Sequence, residues 1–196
     1  MGFREVIFVF CTYILGGICA GYYLVYFKTG KDIREHGSGS VGARNVKRVL
    51  GSFWFYFTMF FDGLKGLVAV LISRYFGFSE ETTALVLVAV VAGHIWPLQL
   101  RFRGGKGIAT SCGALLAYNP LLAGGLVVLT LLFLLFRMGF IFAGIAAFLL
   151  LPLLGYFLGL SPYQIGAIAI MSGLIIFAHR ERLQKIYIKV REKRET

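Results

Sequence analysis

The chain has 196 residues, of which 58% are hydrophobic and only 15% are charged, and its mean hydropathy is +0.79. Soluble domains carry about 45–50% apolar and about 25% charged residues, so a single water-soluble core is excluded. The apolar runs are continuous rather than alternating, which excludes a β-barrel and predicts an all-α integral membrane protein with one domain over residues 1–196.

The formal net charge is +11. In a soluble protein this excess would indicate a nucleic-acid partner. In a membrane protein it is typical of loops that face anionic headgroups on the cytoplasmic side, and it is also compatible with a site for a phosphorylated substrate. We therefore expect no nucleic-acid partner.

Seven apolar segments are candidates for membrane-spanning helices, each of which needs about 20 residues to cross about 30 Å of hydrocarbon. They are 5–27, 52–73, 81–100, 107–118, 120–136, 138–158 and 162–179. The fourth is short and ends at Asn119-Pro120, which indicates a helix stop followed by a proline in the next first turn. Because segments four to six could partly merge, the count between residues 107 and 158 stays open.

The basic residues predict the orientation. Seventeen of the 20 Lys and Arg fall in 28–51, in 101–106, at Arg137 and in 180–196, all of which share one side if there are seven spans. Only Arg4 and Arg74 fall on the other side. The positive-inside rule then predicts an outside N-terminus and a cytoplasmic C-terminus. The tail has an apolar stripe that predicts a short interfacial helix, with Leu183, Ile186, Tyr187 and Val190 at helical spacing.

The first of three polar clusters on the predicted cytoplasmic side is the glycine-rich segment 37–48. Its glycines match G-x-G-x-x-G, but no strand precedes them and no Gly-Lys-Ser/Thr follows, which excludes a dinucleotide fold and a P-loop. Glycines still let backbone N–H groups approach an anion closely, and nearby cations neutralise it. The segment therefore predicts an anion site, with a flexible solvated loop as the alternative.

The second cluster joins Gly93-His94 and Pro97 to the segment 103–107. Gly104 and Gly105 precede a new helix and can aim N–H donors at a phosphate, while Lys106 adds a charge where the helix macrodipole favours anions. His94 is interpreted equally as a site-lining or as a structural histidine. The cysteines (Cys11, Cys19 and Cys112) lie in apolar segments without metal-ligand spacing and predict neither a metal site nor a disulfide framework.

The third cluster, His179-Arg180-Glu181-Arg182, follows the last apolar segment, and ordinary interfacial charge is its alternative interpretation. Asp62 and Lys65 lie deep in the second segment, three residues apart and so on one helical face. Ionisable groups inside a membrane are costly and usually face each other or an interior site. The spacing is equally compatible with a structural pair and with a pair that supports a site.

Together these clusters resemble the acyl-phosphate:glycerol-3-phosphate acyltransferase family (the PlsY family). The matching features occur in family order along nearly the whole chain, and they are Gly37-Ser38-Gly39 with Gly42, Asn45 and Arg48, the Asp62/Lys65 pair, Gly93-His94 with Pro97, Gly104-Gly105-Lys106-Gly107, and His179-Arg180-Glu181. Each feature alone is weak, but the ordered set is specific.

The resemblance implies a seven-helix bundle in the bacterial cytoplasmic membrane, with a cytoplasmic-side site and no metal or coenzyme. The implied reaction moves a fatty acyl group from acyl phosphate to the 1-hydroxyl of glycerol 3-phosphate, giving lysophosphatidic acid among membrane lipids. The expected catalytic residues are Ser38, Arg48, Lys106 and His179. The expected substrate-binding residues are Gly37, Gly39, Ser40, Gly42, Asn45, His94, Arg103, Gly104, Gly105 and Arg182, supported by Asp62 and Lys65.

Three positions depart from the family pattern. Ser40 and Arg182 stand where the family usually has Asn, and Arg44 stands where it usually has Thr. These departures leave open a paralogue that acylates another phosphorylated alcohol or only binds lipid phosphate. A transporter of a phosphorylated solute is the other alternative, although transport predicts polar residues on both faces. The His-x-x-x-x-Asp acyltransferases are excluded, because that spacing leads from the three histidines to Val41, Gln99 and Gln184.

Overall fold

A computed structural model describes residues 1–184 together with 188 and 191, and helices make up most of this part of the chain. The α-helices are α1 (Phe3–Gly16), α2 (Ala20–Thr29), α3 (Ala43–Leu50), α4 (Ser52–Tyr75), α5 (Glu80–Ile95), α6 (Ile108–Tyr118), α7 (Pro120–Leu135), α8 (Phe140–Phe157) and α9 (Pro162–Ala178). Two short 3₁₀ turns cover Ile33–Glu35 and Leu98–Leu100. The all-α prediction is confirmed. The predicted interfacial helix of the tail lies mostly outside the described residues, since Ile186, Tyr187 and Val190 are not among them.

The helices match the predicted apolar segments in order. Three are long and apolar enough by themselves to cross a membrane, namely Ser52–Tyr75, Glu80–Leu100 and Phe140–Phe157. The bent pair Phe3–Gly16 and Ala20–Thr29 adds a fourth candidate if it forms one span. The shorter apolar helices are Ile108–Tyr118, Pro120–Leu135 and Pro162–Ala178. Segments four to six, whose merging was left open, are separate helices.

The first segment differs from its prediction. A single helix over 5–27 was expected, but α1 and α2 meet at a bend of 43° around Gly17 and Cys19. The break has a tertiary cause: the Lys65 Nζ donates to the carbonyls of Gly16 (2.7 Å) and Ile18 (2.9 Å), and Asp62 accepts the Ala20 N–H (3.2 Å). Backbone groups freed inside a bilayer need such partners, because lipid offers none.

Capping residues explain where several helices begin. Asn119 accepts the N–H groups of Leu121 (3.0 Å) and Leu122 (3.2 Å), and Pro120 occupies the first turn of α7, as the sequence predicted. Ser161 and Gln164 form a reciprocal capping box at the start of α9. These local signals separate the short helices that hydropathy alone left ambiguous.

Close helix pairs rely on small residues. A side chain at Gly66 would overlap the carbonyl oxygen of Thr110, and one at Gly113 would overlap that of Gly63, so α4 and α6 pack backbone to backbone. Gly93 on α5 meets α1 in the same way. Such contacts are typical of membrane helices, where association depends on close packing rather than on burial from water.

Polar contacts mark the two ends of the bundle. At one end, Arg74 donates to the Tyr118 carbonyl (2.7 Å) and lies 3.9 Å from Glu80, which in turn accepts from Gln164. At the other end, Arg34 donates to the Leu100 carbonyl (2.8 Å). These contacts join segments that were predicted to share a membrane face. The glycine-rich segment lies at the end where Arg34 contacts Leu100.

Candidate active site

Asn45 organises the glycine-rich loop from inside. Its side chain is only 1% exposed, and its Oδ1 accepts the backbone N–H of Ser38 at 2.9 Å. Its Nδ2 lies 2.8–3.1 Å from the carbonyl oxygens of Ile33, His36 and Ser40. The side-chain amide of Asn45 therefore makes its hydrogen bonds to main-chain groups in and around the loop. Asn45 was predicted to bind substrate, and its geometry is that of a residue that shapes the loop around Ser38.

The loop needs its glycines for two physical reasons. Gly37 and Gly39 have φ values of 61° and 71°, in the left-handed region that side chains disfavour. A side chain at Gly37 would also overlap the Asn45 amide oxygen and contact the stem of Arg48. The result is an exposed Ser38 between two glycines, with the stem of Arg48 next to Gly37.

Arg34 joins this loop to the second polar segment. Its guanidinium forms a close pair with Asp32, with 2.6 Å between Nη2 and Oδ2, while Nη1 reaches the Leu100 carbonyl. The sequence suggested only a flanking positive charge here. The sequence could not predict this hydrogen bond, because its acceptor is the main-chain oxygen of a residue 66 positions away, and every residue has such an oxygen.

The Gly104-Gly105 turn corrects one expectation. The N–H of Gly104 donates to the Ile95 carbonyl (3.1 Å) and that of Gly105 to the His94 carbonyl (2.9 Å). Both groups are therefore used within the protein, and the expectation that they donate to a phosphate is wrong. The glycines are needed because side chains there would overlap the His94 carbonyl and the His94 ring.

The groups that follow the turn are the better candidates for anion binding. Lys106 is half-buried, and Gly107, with φ of 80°, caps the start of α6. The first N–H groups of a helix have no partner within the helix, and the macrodipole favours negative charge there. Lys106 and the start of α6 therefore have the charge and the backbone geometry that an anion site requires.

A buried polar network lies behind the turn. Lys65 contacts Asp62 at 3.1 Å and the His94 Nδ1 at 2.9 Å, and all three residues are buried. Lys65 is the donor, so the Nδ1 of His94 accepts, and this nitrogen is not available to a substrate. Asp62 and Lys65 are therefore both a pair and part of a larger network next to the turn.

The third cluster comes together with the first two. Lys106 lies within electrostatic reach of Arg182, Glu181 and Arg44, and His179 within reach of Lys106. Burial first, then repulsion from Arg182, lowers the pKa of the Lys106 ammonium, while Glu181 acts in the opposite direction. Three segments far apart in sequence thus form one strongly cationic site.

Arg44 is part of this cationic site. Its guanidinium lies 5.2 Å from the centre of the Phe140 ring, at the start of α8. Burial, followed by the charges of Arg182 and Arg48, lowers its pKa. The two cations that depart from the family pattern therefore lie close to each other and to Lys106.

The two ring nitrogens of His179 differ, because one of them is hydrogen-bonded within the protein. The residue is 2% exposed, and its Nδ1 lies 2.8 Å from the carbonyl oxygen of Ile175. A carbonyl only accepts, so Nδ1 carries the proton. In the neutral ring Nε2 then holds a lone pair that can accept a proton.

Other predicted residues have different surroundings. Arg103 lines a cavity of about 350 Å³ together with Arg101, Asp32, Arg34 and Glu35. This cavity lies between the α2–α3 loop and the α5–α6 loop. Ser40 Oγ accepts the N–H of Gly42 at 3.2 Å, a contact within the loop. Across residues 1–184, 188 and 191, no cluster of His, Cys, Asp and Glu is arranged to hold a metal ion.

Comparisons with known proteins agree on one family. The family model described as "Glycerol-3-phosphate acyltransferase" matches residues 6–189. Glycerol-3-phosphate acyltransferase 1 of Desulfitobacterium hafniense is 38% identical over 193 residues, covering 98% of this chain and 96% of its own length. Glycerol-3-phosphate acyltransferase of Thermus thermophilus is 42% identical over 181 residues, covering 89% of this chain and 87% of its own.

Two solved structures have the same architecture. Both are crystal structures of PlsY (YgiH), an integral membrane glycerol 3-phosphate acyltransferase, and each match covers 95% of this chain and 93% of the other. The glycerol 3-phosphate form has a TM-score of 0.86 at 32% identity. The lysophosphatidic acid form has a TM-score of 0.83 at 30% identity.

Proposed function

This chain belongs to the glycerol-3-phosphate acyltransferase family, and we propose that it acylates the 1-hydroxyl of glycerol 3-phosphate from acyl phosphate, giving lysophosphatidic acid and inorganic phosphate. The convergence of three distant segments on Lys106 carries this proposal. Both substrates bear phosphate groups. The charges of Arg44 and Arg182 act on Lys106, and the charge of Arg48 acts on Arg44. A site with this charge suits two anionic substrates that must meet.

The reaction needs little covalent assistance from the protein. Acyl phosphate is a mixed anhydride, so its acyl carbon is already activated. The hydroxyl oxygen of glycerol 3-phosphate bonds to that carbon, the bond from the carbon to the phosphate oxygen breaks, and phosphate leaves with the electron pair. Negative charge builds on the acyl oxygen during the attack. Holding the reactants together and stabilising that charge therefore supply most of the catalysis.

We assign roles from the surroundings of each side chain. Lys106 and the start of α6 bind a substrate phosphate, and Arg48 binds the second. Ser38, held between two glycines by Asn45, orients a reacting oxygen through its hydroxyl. Arg44 and Arg182 add to the field that favours anionic ligands.

The hydroxyl proton has two acceptors available in this scheme, the leaving phosphate and His179. The Nδ1–H of His179 is held by the Ile175 carbonyl, which leaves Nε2 as the accepting atom. His94 is not suited to this role, because its Nδ1 already accepts from Lys65 and its ring is buried behind the turn.

The site lies at one end of a bundle that we propose crosses the bacterial cytoplasmic membrane seven times, with the N-terminus outside. The bent pair α1–α2 counts as one crossing, and α4 to α9 supply the other six. Arg34 to Leu100 at one end, and Arg74 to Tyr118 at the other, support the alternating directions. Membrane lipid then surrounds the bundle, and the acyl chain lies between helices beside the site.

One assay tests the proposed reaction. Protein purified in detergent is given radiolabelled glycerol 3-phosphate with either acyl phosphate or an acyl thioester, and labelled lysophosphatidic acid is measured. We expect product with acyl phosphate only. Lys106→Ala should reduce turnover at least about 100-fold, whereas Lys31→Ala, which removes an exposed lysine from the same face, should not. Equal product from the thioester, or full activity in Lys106→Ala, would contradict the proposal.

A further inference from the structure

Lys65 makes more contacts than a charge pair requires. Its Nζ lies within 2.7–3.1 Å of four acceptors: the carbonyls of Gly16 and Ile18, the His94 Nδ1 and the Asp62 Oδ1. Asp62 Oδ1 also accepts the Ala20 N–H. The two side chains thus serve both sides of the break between α1 and α2. A pair that only neutralised its own charges would need none of these backbone contacts.

His94 connects the same network to the turn before Lys106. Its ring accepts from Lys65 on one side, and on the other side it occupies the space that a Gly105 side chain would need. Its carbonyl accepts the Gly105 N–H at 2.9 Å and contacts the Cys19 thiol at 3.6 Å. Cys19 belongs to the helix break, so His94 contacts the break and the turn together.

We infer that Asp62, Lys65 and His94 are positioning residues, which hold the helix break against the Gly104-Gly105 turn and thereby place Lys106 for acyl transfer. All three are buried, and their hydrogen bonds described above join them to one another and to main-chain groups. Their contribution reaches the site through main-chain hydrogen bonds, whose directions fix the position of the turn. Misplacing a catalytic group by about 1 Å costs about 100-fold in rate. The turnover part of the inference rests on the proposed function.

The test removes both charges together. Asp62→Asn with Lys65→Met leaves no unpaired charge in the bundle, a change that buried ion pairs often tolerate. The control is Ser73→Ala with Thr83→Val, which removes a buried 2.8 Å hydroxyl contact between α4 and α5. These are the helices that carry Lys65 and His94, and the control contact lies away from both residues. Amide hydrogen exchange at residues 100–108, kcat and KM for glycerol 3-phosphate are measured for both.

We expect the charge-free variant to fold, with amide exchange at Gly104 and Gly105 accelerated about 10-fold or more and exchange in α7 and α8 unchanged. Its kcat should fall about 100-fold, while the control keeps wild-type values. Wild-type exchange and turnover in the charge-free variant would overturn the inference, because the pair would then only neutralise itself. Faster exchange throughout α7 and α8 would also overturn it, because the role would then be global stability.

A second variant covers the case in which the first does not fold. His94→Asn keeps an acceptor near the Nδ1 position but removes the ring from Gly105, so the turn should again exchange faster. Unchanged exchange at Gly104 and Gly105 would overturn the inference. If wild-type protein transfers no acyl group at all, the proposed function fails, and the exchange measurements still decide the positioning role.

Discussion

The Oδ1 of Asn45 accepts the backbone N–H of Ser38 at 2.9 Å, so a buried amide sets the position of the exposed serine seven residues before it. Asn45→Asp keeps this acceptor but loses the Nδ2 contacts to the carbonyls of Ile33, His36 and Ser40. Loss of such buried contacts costs about 1–3 kcal/mol. We therefore expect Asn45→Asp to lower both thermal stability and kcat, measured by melting and steady-state turnover.

The exposed Lys47, on the same short helix as Asn45, is the matched position for that experiment. Lys47→Ala should melt and turn over like the wild type. If Asn45→Asp also did so, the loop would hold its shape without the amide, and Asn45 would have to be reconsidered as a residue that binds substrate directly.

Gly105 should not tolerate a methyl group. The Cβ of Gly105→Ala would overlap the Nε2 of His94, and the Nδ1 on the other side of that ring accepts from Lys65. Overpacking of this kind costs about 1–3 kcal/mol, and the turn would move with Lys106. We expect a large loss of kcat, measured by product formation.

Gly144→Ala is the control for Gly105→Ala, since nothing lies within 4 Å of the added atom. It should leave activity unchanged and, with alanine favoured in helices, should not lower the melting temperature. Similar turnover in both variants would mean that the turn yields without displacing Lys106.

The alkaline limit of activity should depend on the neighbours of Lys106. Only the ammonium form binds phosphate well, so kcat/KM should be full at lower pH and be lost as pH rises through the lowered pKa of Lys106. Arg182→Asn removes a repelling charge, which raises this pKa and moves the limit to higher pH. Glu181→Gln removes an attracting charge and moves the limit to lower pH. Shifts in the same direction for both variants would exclude Lys106 as the titrating group.

Arg44 and Arg182, the two arginines that depart from the family pattern, should increase the affinity for an anionic substrate. Arg44 and Arg182 are both exposed, and the positive charge of each lowers the pKa of Lys106. Arg44→Thr together with Arg182→Asn should raise the KM for glycerol 3-phosphate and flatten its dependence on salt. Kinetics measured at low and high ionic strength check this. Unchanged constants in both conditions would assign the guanidinium groups to the headgroup region.

Ser38 should orient the reaction without becoming acylated. Within the described residues, no hydrogen bond links the Ser38 hydroxyl to a basic side chain that would activate it as a nucleophile. Ser38→Ala should reduce kcat strongly, and mass spectrometry of enzyme stopped during turnover should find no mass added to the peptide that contains Ser38. An acyl group covalently bound to Ser38 would replace direct transfer with a two-step reaction.

Much of the site was predictable because its chemistry depends on residue type. A glycine at a positive φ and a lysine just before a helix each leave a mark in the sequence, as Gly37 and Lys106 show. Two predictions changed for one reason. The N–H groups of Gly104 and Gly105 were assigned to a ligand, and the first span was assigned as one helix. Both assignments concerned main-chain groups, whose partners the sequence does not display.

The amino-acid sequence by itself determined that the chain is an all-helical membrane protein, where most of its helices begin and end, and which polar segments belong to one site. Apolar length, capping residues and residue type carry that information locally. Only the tertiary structure decided that Lys65 and Asp62 hold a break in the first span, that Arg34 ties two loops together, and that His94 supports the turn. The reason is physical: these side chains bond to carbonyl and N–H groups, which nearly every residue has, so only the folded chain can select among them.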